Sequence, residues 1–213
     1  MNAAATALRR EGVVVIAALA LLVLLAWVYL WRGAGMGMSA PDMTVLTLFP
    51  HMQSEPMPGM VPPPYLWLVS LVMWWVMMIA MMTPGAAPLV LLYSRVQQHA
   101  ARTSTVRYAS PMMLAAGYLL AWLAFSLLAT GLQYALQRMQ LVSPMMLWSR
   151  NAWLSAAVLI SAGLYQLSPL KQACLRQCRG PADFLRRHSR PGTAGALLTG
   201  LQHGTWCVGC CWA

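Results

Sequence analysis

All five cysteines of the 213-residue chain fall in two short stretches. Cys174 and Cys178 lie in residues 162–181, AGLYQLSPLKQACLRQCRGP, and Cys207, Cys210 and Cys211 lie in residues 204–213, GTWCVGCCWA. On a helix a C-x3-C pair shares one face with its side chains roughly 6 Å apart, close enough for two thiolates to chelate one ion. His203, Cys207, Cys210 and Cys211 follow at i, i+4, i+7 and i+8, again one face, now an imidazole and three sulfurs. Lys171, Arg176 and Arg179 flank the first pair, and neighbouring cations favour the thiolate. Pro181 and Pro191-Gly192 predict a short loop and a hairpin that brings the two groups together. The expected metal site is Cys174, Cys178, Cys207 and Cys210, with Cys211 and His203 as further ligands. A sulfur-rich set suits Cu(I), with zinc as the alternative. No catalytic residue is expected. Two other readings stay open: a membrane scaffold or assembly partner whose thiols only pack, and a thiol–disulfide oxidoreductase using C-x-x-C at 207–210.

The elements that must position these thiols are apolar helices. Hydrophobic residues make up 60% of the chain and charged residues 8%, against about 25% charged in a typical soluble domain. So much apolar surface calls for lipid as solvent. The formal net charge of +10 comes from basic residues in short segments beside apolar runs. That pattern reports topology, and no nucleic-acid partner is expected. The predicted fold is an all-α polytopic membrane bundle with four full spans and a partial fifth. The spans fall at residues 13–31, from Tyr65 to Met82, at 111–136 and at 152–167, with residues 194–213 starting the fifth. Thr83-Pro84 is expected to kink the second span or make it re-entrant. Gly117, Tyr118 and Trp122 lie at helical spacing and allow another helix to approach closely.

The predicted organisation is a cytoplasmic segment 1–12, a first span 13–32, an external Met/Pro-rich loop 33–64 and a bundle domain 65–213. With the N-terminus inside, inner segments carry Arg9, Arg10, Arg95, Arg102, Arg107 and the basic run from Lys171 to Arg190. Outer ends carry only Arg32, Arg138 and Arg150. This predicts a bacterial inner-membrane protein with its cysteines at the cytoplasmic face, where a reducing compartment keeps them free. The loop holds Met36, Met38, Met43, Met52, Met57, Met60 and His51, and Met73, Met77 and Met81 share one helix face beside Met78 and Met82. Thioethers are Cu(I) ligands and equally adaptable packing groups. His99 and His188 are expected to be solvated. There is no Gly-rich phosphate loop, and Glu11, Asp42, Glu55 and Asp183 fall in predicted loops or tails. Neither ATP-driven nor proton-coupled transport is supported.

Residues 74–84 (WWVMMIAMMTP), 117–122 (GYLLAW), 162–181 and 204–213 resemble a bacterial family described as predicted metal-binding integral membrane proteins. The resemblance covers roughly residues 65–213, and its specific parts are Y-Q-x-x-P-L-K-x-x-C-L-x-x-C-R-x-P and C-V-G-C-C-W. It implies metal binding and assigns no reaction; some members are labelled copper chaperones, which implies a metal-delivery or metalloenzyme partner. Members of the family continue past the C-C-W string through further Met-rich helix, so this chain is expected to be C-terminally shortened.

Overall fold

The computed structural model describes residues 3–34, 65–103, 110–142, 149 and 151–212. The loop methionines with His51, and also Arg107, Pro144 and Arg150, lie outside the described residues. Seven helices are described: α1 Ala3–Trp31, α2 Tyr65–Thr103, α3 Pro111–Arg138, α4 Ala152–Leu167, α5 Pro169–Arg179, α6 Pro181–His188 and α7 Gly192–Cys211. There is no strand among the described residues, only one isolated antiparallel bridge between Val142 and Ser149. The helix starts follow local chemistry. Ser110 Oγ accepts from Met112 N–H at 3.3 Å, Asn151 Oδ1 from Trp153 N–H at 2.8 Å and Ser168 Oγ from Lys171 N–H at 3.3 Å. Each supplies an acceptor to N–H groups that the first turn leaves orphaned.

Three helices are long and apolar enough to cross a membrane, Gly12–Trp31, Tyr65–His99 and Pro111–Arg138. The pair Ala152–Leu167 and Pro169–Arg179, bent by 61°, makes a fourth if it is one broken span. At about 1.5 Å per residue, the 16 residues of α4 fall short of the ~30 Å hydrocarbon core. α7 is not among the candidate spans.

α2 corrects one expectation. It runs as one helix through Pro84 and Pro88 to Thr103, so the span expected to end at Met82 continues and the re-entrant alternative at Thr83-Pro84 is not met. Pro84 still removes the N–H that would serve the Ala80 carbonyl. Neighbouring helices hold the turn in place: Ala80, Thr83 and Ala86 are all buried, and the Tyr118 hydroxyl donates to the Met82 carbonyl at 3.1 Å. Tertiary packing here outweighs the local preference to break.

α1 lies antiparallel on α2: Ala26 packs against Ile79 and Ala80, while Val15 and Leu19 join Leu89, Val90 and Tyr93 in one cluster. α3 and α7 run side by side in the same direction and touch through backbone. A Cβ placed on Gly117 would lie 2.0 Å from the Leu197 carbonyl oxygen, one on Gly200 1.9 Å from the Leu114 carbonyl oxygen, and one on Gly204 2.5 Å from Ala121 Cβ. Gly200 and Gly204 form a G-x-x-x-G pair facing Gly117 and Ala121 at the same spacing. Small residues at i and i+4 are what let helices in lipid meet this closely. The expectation of a close approach at Gly117 is met, and α7 is the helix that makes it.

Candidate metal centre

α5 and α6 fold back along α7 in the opposite direction. Cys174 meets Gly209, Cys178 meets Cys210, Phe184 meets His203, and the His188 carbonyl accepts from Thr199. The connection between the two cysteine groups is therefore more than a short loop, since α6 occupies most of it. Its proline at the first position pre-sets the helical φ, and its apolar Phe184 and Leu185 are buried. His188, expected in solvent, stacks on Phe184 at 4.7 Å, and its Nδ1 lies 3.1 Å from the Phe184 carbonyl. His99 is exposed but sits on α2 and not in a loop.

The hairpin brings three sulfurs together. The Sγ atoms of Cys178, Cys207 and Cys210 all lie within 4.8 Å of one another. Cys210 Sγ is 3.4 Å from Cys178 Sγ and 3.3 Å from the Cys207 carbonyl oxygen. All five cysteines are free thiols. Cys178 comes from α5, and Cys207 and Cys210 come from α7, so no single helix holds the set.

The other three candidate ligands take different places. Cys174 is buried, 5% exposed, and its Sγ sits where a Cβ on Gly209 would be, 2.8 Å away. Gly209 thus reads as the residue that lets α5 approach α7 at the level of the cluster. Cys211 is exposed, with its Sγ 3.3 Å from Cys210 Sγ. His203 is 3% exposed and packed between Phe184, 4.8 Å away ring to ring, and Tyr118, 6.0 Å away. Its Nδ1 has no hydrogen-bond partner among the described residues. Shared helical face put His203 with the cysteines, but one turn of rise separates it from Cys207 and places it in the aromatic layer below.

The flanking cations are turned to local acceptors. Lys171 Nζ bonds Gln166 Oε1 and Arg176 Nε reaches the Gln172 carbonyl at 3.5 Å. The Tyr165 hydroxyl donates to the Gly209 carbonyl, and its ring lies 5.0 Å from that of Trp212. The end of α4 is thereby pinned to the end of α7.

One contributor was missed by sequence reasoning. The Tyr118 hydroxyl lies 3.2 Å from Cys207 Sγ while donating to the Met82 carbonyl. A phenol has one hydrogen to give, so with that donation made the Cys207 thiol is the donor to Tyr118. This bond ties the cluster to the middle of α2. Met78 is buried in one cluster with Ala86, Tyr118 and Trp122, and Met77, Met82, Trp74, Trp75, Cys207 and Val208 are among the residues packed against that cluster. Met81 faces outward at 45% exposed, so the face through Met73, Met77 and Met81 is not a continuous inward ladder. The only signal for Tyr118 in the sequence was its place next to Gly117.

Among the described residues the chain thus combines helices long and apolar enough to cross a membrane with three thiols, on α5 and α7, placed so that they could hold one metal ion. A family model described as PpoB2, copper chaperone, matches residues 71–213, and the chain belongs to that family. No curated protein and no solved structure matches it.

Proposed function

We propose that this chain is an integral membrane protein that binds Cu(I) as cargo at Cys178, Cys207 and Cys210 and hands it to a metal-delivery protein or a metalloenzyme. The observation that carries this reading is the convergence of three free thiols from two helices within 4.8 Å. Soft thiolates select Cu(I), whereas structural zinc asks for four tetrahedral ligands. The family description, copper chaperone, supports the choice of metal. In this reading Cys174 and His203 are packing residues that hold the cluster's walls. The distribution of Lys and Arg argues for a cytoplasmic N-terminus in a bacterial inner membrane. The cluster adjoins Tyr118, one hydrogen bond from Met82, the central residue of Tyr65–His99. The cytoplasmic face is therefore the side from which the thiols are reached and not the depth at which they lie. Residues 33–64, outside the membrane, are the capture segment, and Met77, Met78 and Met82 line the approach to Cys207.

The test is metal content. Protein purified anaerobically in detergent is analysed for copper, zinc and iron, beside a Cys178→Ser/Cys207→Ser/Cys210→Ser variant and a Cys174→Ser variant. Close to one copper per chain is expected in the wild type and in Cys174→Ser, because a single three-sulfur set holds one soft ion; the triple variant loses it. Equal copper in wild type and triple variant would refute the reading. Zinc in place of copper would keep the site and change its cargo.

A further inference from the structure

The four thiols around the cluster are not equivalent. Cys178 and Cys207 are half-buried and Cys210 is 4% exposed, while Cys211 is open to the surface. Cys211 Sγ is nevertheless only 3.3 Å from Cys210 Sγ, which is the distance of an incoming ligand. Cys210 also touches Cys178 at 3.4 Å. A continuous line of sulfur thus leads from the interior of the α5–α7 contact to the surface of the chain at Cys211, with Cys210 at its centre. Trp212 follows at 51% exposed, and its ring packs on Tyr165 of α4. The outer end of the line therefore opens beside an aromatic surface fixed on two helices.

Resting on the copper reading above, we propose that Cys211 is the exit thiol: it takes Cu(I) from the three-sulfur set and presents it to an acceptor sulfur outside. The step is ligand exchange with no change of oxidation state. The Sγ of Cys211 forms a bond to Cu(I), the bond from Cu(I) to Cys207 Sγ breaks, and the proton of the Cys211 thiol ends on Cys207 Sγ. Cys207 is the sulfur that leaves because the Tyr118 oxygen, 3.2 Å away, is in place to accept the hydrogen bond of the re-formed thiol. Cys210 stays bound throughout, since it is the sulfur adjacent to both Cys178 and Cys211. An acceptor thiol then forms a bond to Cu(I) as the bond to Cys178 Sγ breaks, and the acceptor's proton ends on Cys178, so that Cys210 and Cys211 share the ion with the acceptor. The chemistry fits an acceptor that offers a thiolate, and exchange proceeds one sulfur at a time without free copper.

The experiment separates holding from release. Wild type, Cys211→Ser, Cys211→Ala and Cys178→Ser proteins are loaded with Cu(I) anaerobically in detergent. Bound copper is measured first, and then the rate of transfer to bathocuproine disulfonate and, separately, to reduced glutathione. Cys211→Ser and Cys211→Ala are expected to hold as much copper as wild type and to release it to glutathione about tenfold more slowly. Cys178→Ser is expected to hold less from the start. Release from both Cys211 variants at the wild-type rate overturns the exit role. Loss of copper from both to the level of Cys178→Ser overturns it as well, by making Cys211 a holding ligand. A wild type that loads no copper defeats the cargo reading itself, and the exit role falls with it. A wild type that loads and releases regardless of residue 211 defeats the exit role alone.

Discussion

α7 and α4 are both apolar helices of the second half of the chain, and they are held in opposite ways. α7 carries seven buried residues, Gly195, Ala196, Thr199, Gly200, His203, Gly204 and Cys210. It meets α3 through glycines with no room for a Cβ. α4 has no buried residue at all: Trp153 and Leu167 are each 84% exposed, and Leu159 is 72%. Its Gly163 has nothing within 4 Å of where a Cβ would stand. The difference is one of purpose. The apolar side chains of α4 meet no neighbour that fixes their shape, whereas α7 holds two thiols at a fixed place and is built from residues chosen for what they lack.

The sharpest way to break this contrast is one methyl group. Gly200→Ala puts a carbon 1.9 Å from the Leu114 carbonyl oxygen, and the helices must separate. We expect a loss of at least ~3 kcal/mol, the upper end of ordinary overpacking, seen as a lower Tm in detergent and poor yield. Gly163→Ala on α4 is the matched control. It should be neutral or stabilise by up to about 1 kcal/mol through helix propensity, so equal damage at both positions would erase the distinction. Next in size is Gly209→Ala. Its Cβ meets Cys174 Sγ at 2.8 Å, the side of a movable side chain and not a backbone. Stability should fall by only about 1 kcal/mol, but α5 is pushed outward, so Cu(I) affinity measured by chelator competition should fall more than Tm does. Smallest is Tyr118→Phe, which deletes one hydroxyl and its bonds to Met82 and Cys207. Because Tyr118 accepts from the metal-free Cys207 thiol, a net change of about 1 kcal/mol is expected, read as a roughly fivefold tighter copper affinity at almost unchanged fold. No change in affinity would mean that Tyr118 serves packing alone.

The two regions also differ in how far they could be read from sequence. The apolar runs place the candidate spans of α1 and α3 almost to the residue, because hydropathy over about 20 positions is a property of the run and not of its neighbours. Residues 152–167 are matched as a helix that only its bent partner α5 could complete to a span. The Cys178–Cys207–Cys210 convergence was foreseen in outline from spacing: i and i+4 on one helix, i and i+3 on the next. Spacing could not say which of six candidates meet. That depends on the sliding register of α5 against α7, which Gly209 sets where it meets Cys174, a glycine that looked unremarkable in an apolar stretch. His203 was grouped with the thiols by helical face alone, while its burial is decided by Phe184 on α6, a helix that the Pro/Gly signals had suggested was loop. The re-entrant alternative at Pro84 failed for a related reason. Local chemistry argued for interruption, and the tertiary grip of Tyr118 on the Met82 carbonyl is invisible until the fold is known.

The cluster behaves like a vice with one jaw welded to the frame. α7 is that jaw, since at Gly117 and Gly200 it meets α3 against backbone, which cannot yield as a side chain can. The other jaw, α5, is hinged at Ser168–Pro169, where the chain turns by 61°. A swing of α5 on this hinge is the motion that would widen the cluster without moving α7. The catch that resists the swing is Cys174 seated in the notch of Gly209. The thiol that stands outside the cluster is therefore the one that governs how readily the cluster opens.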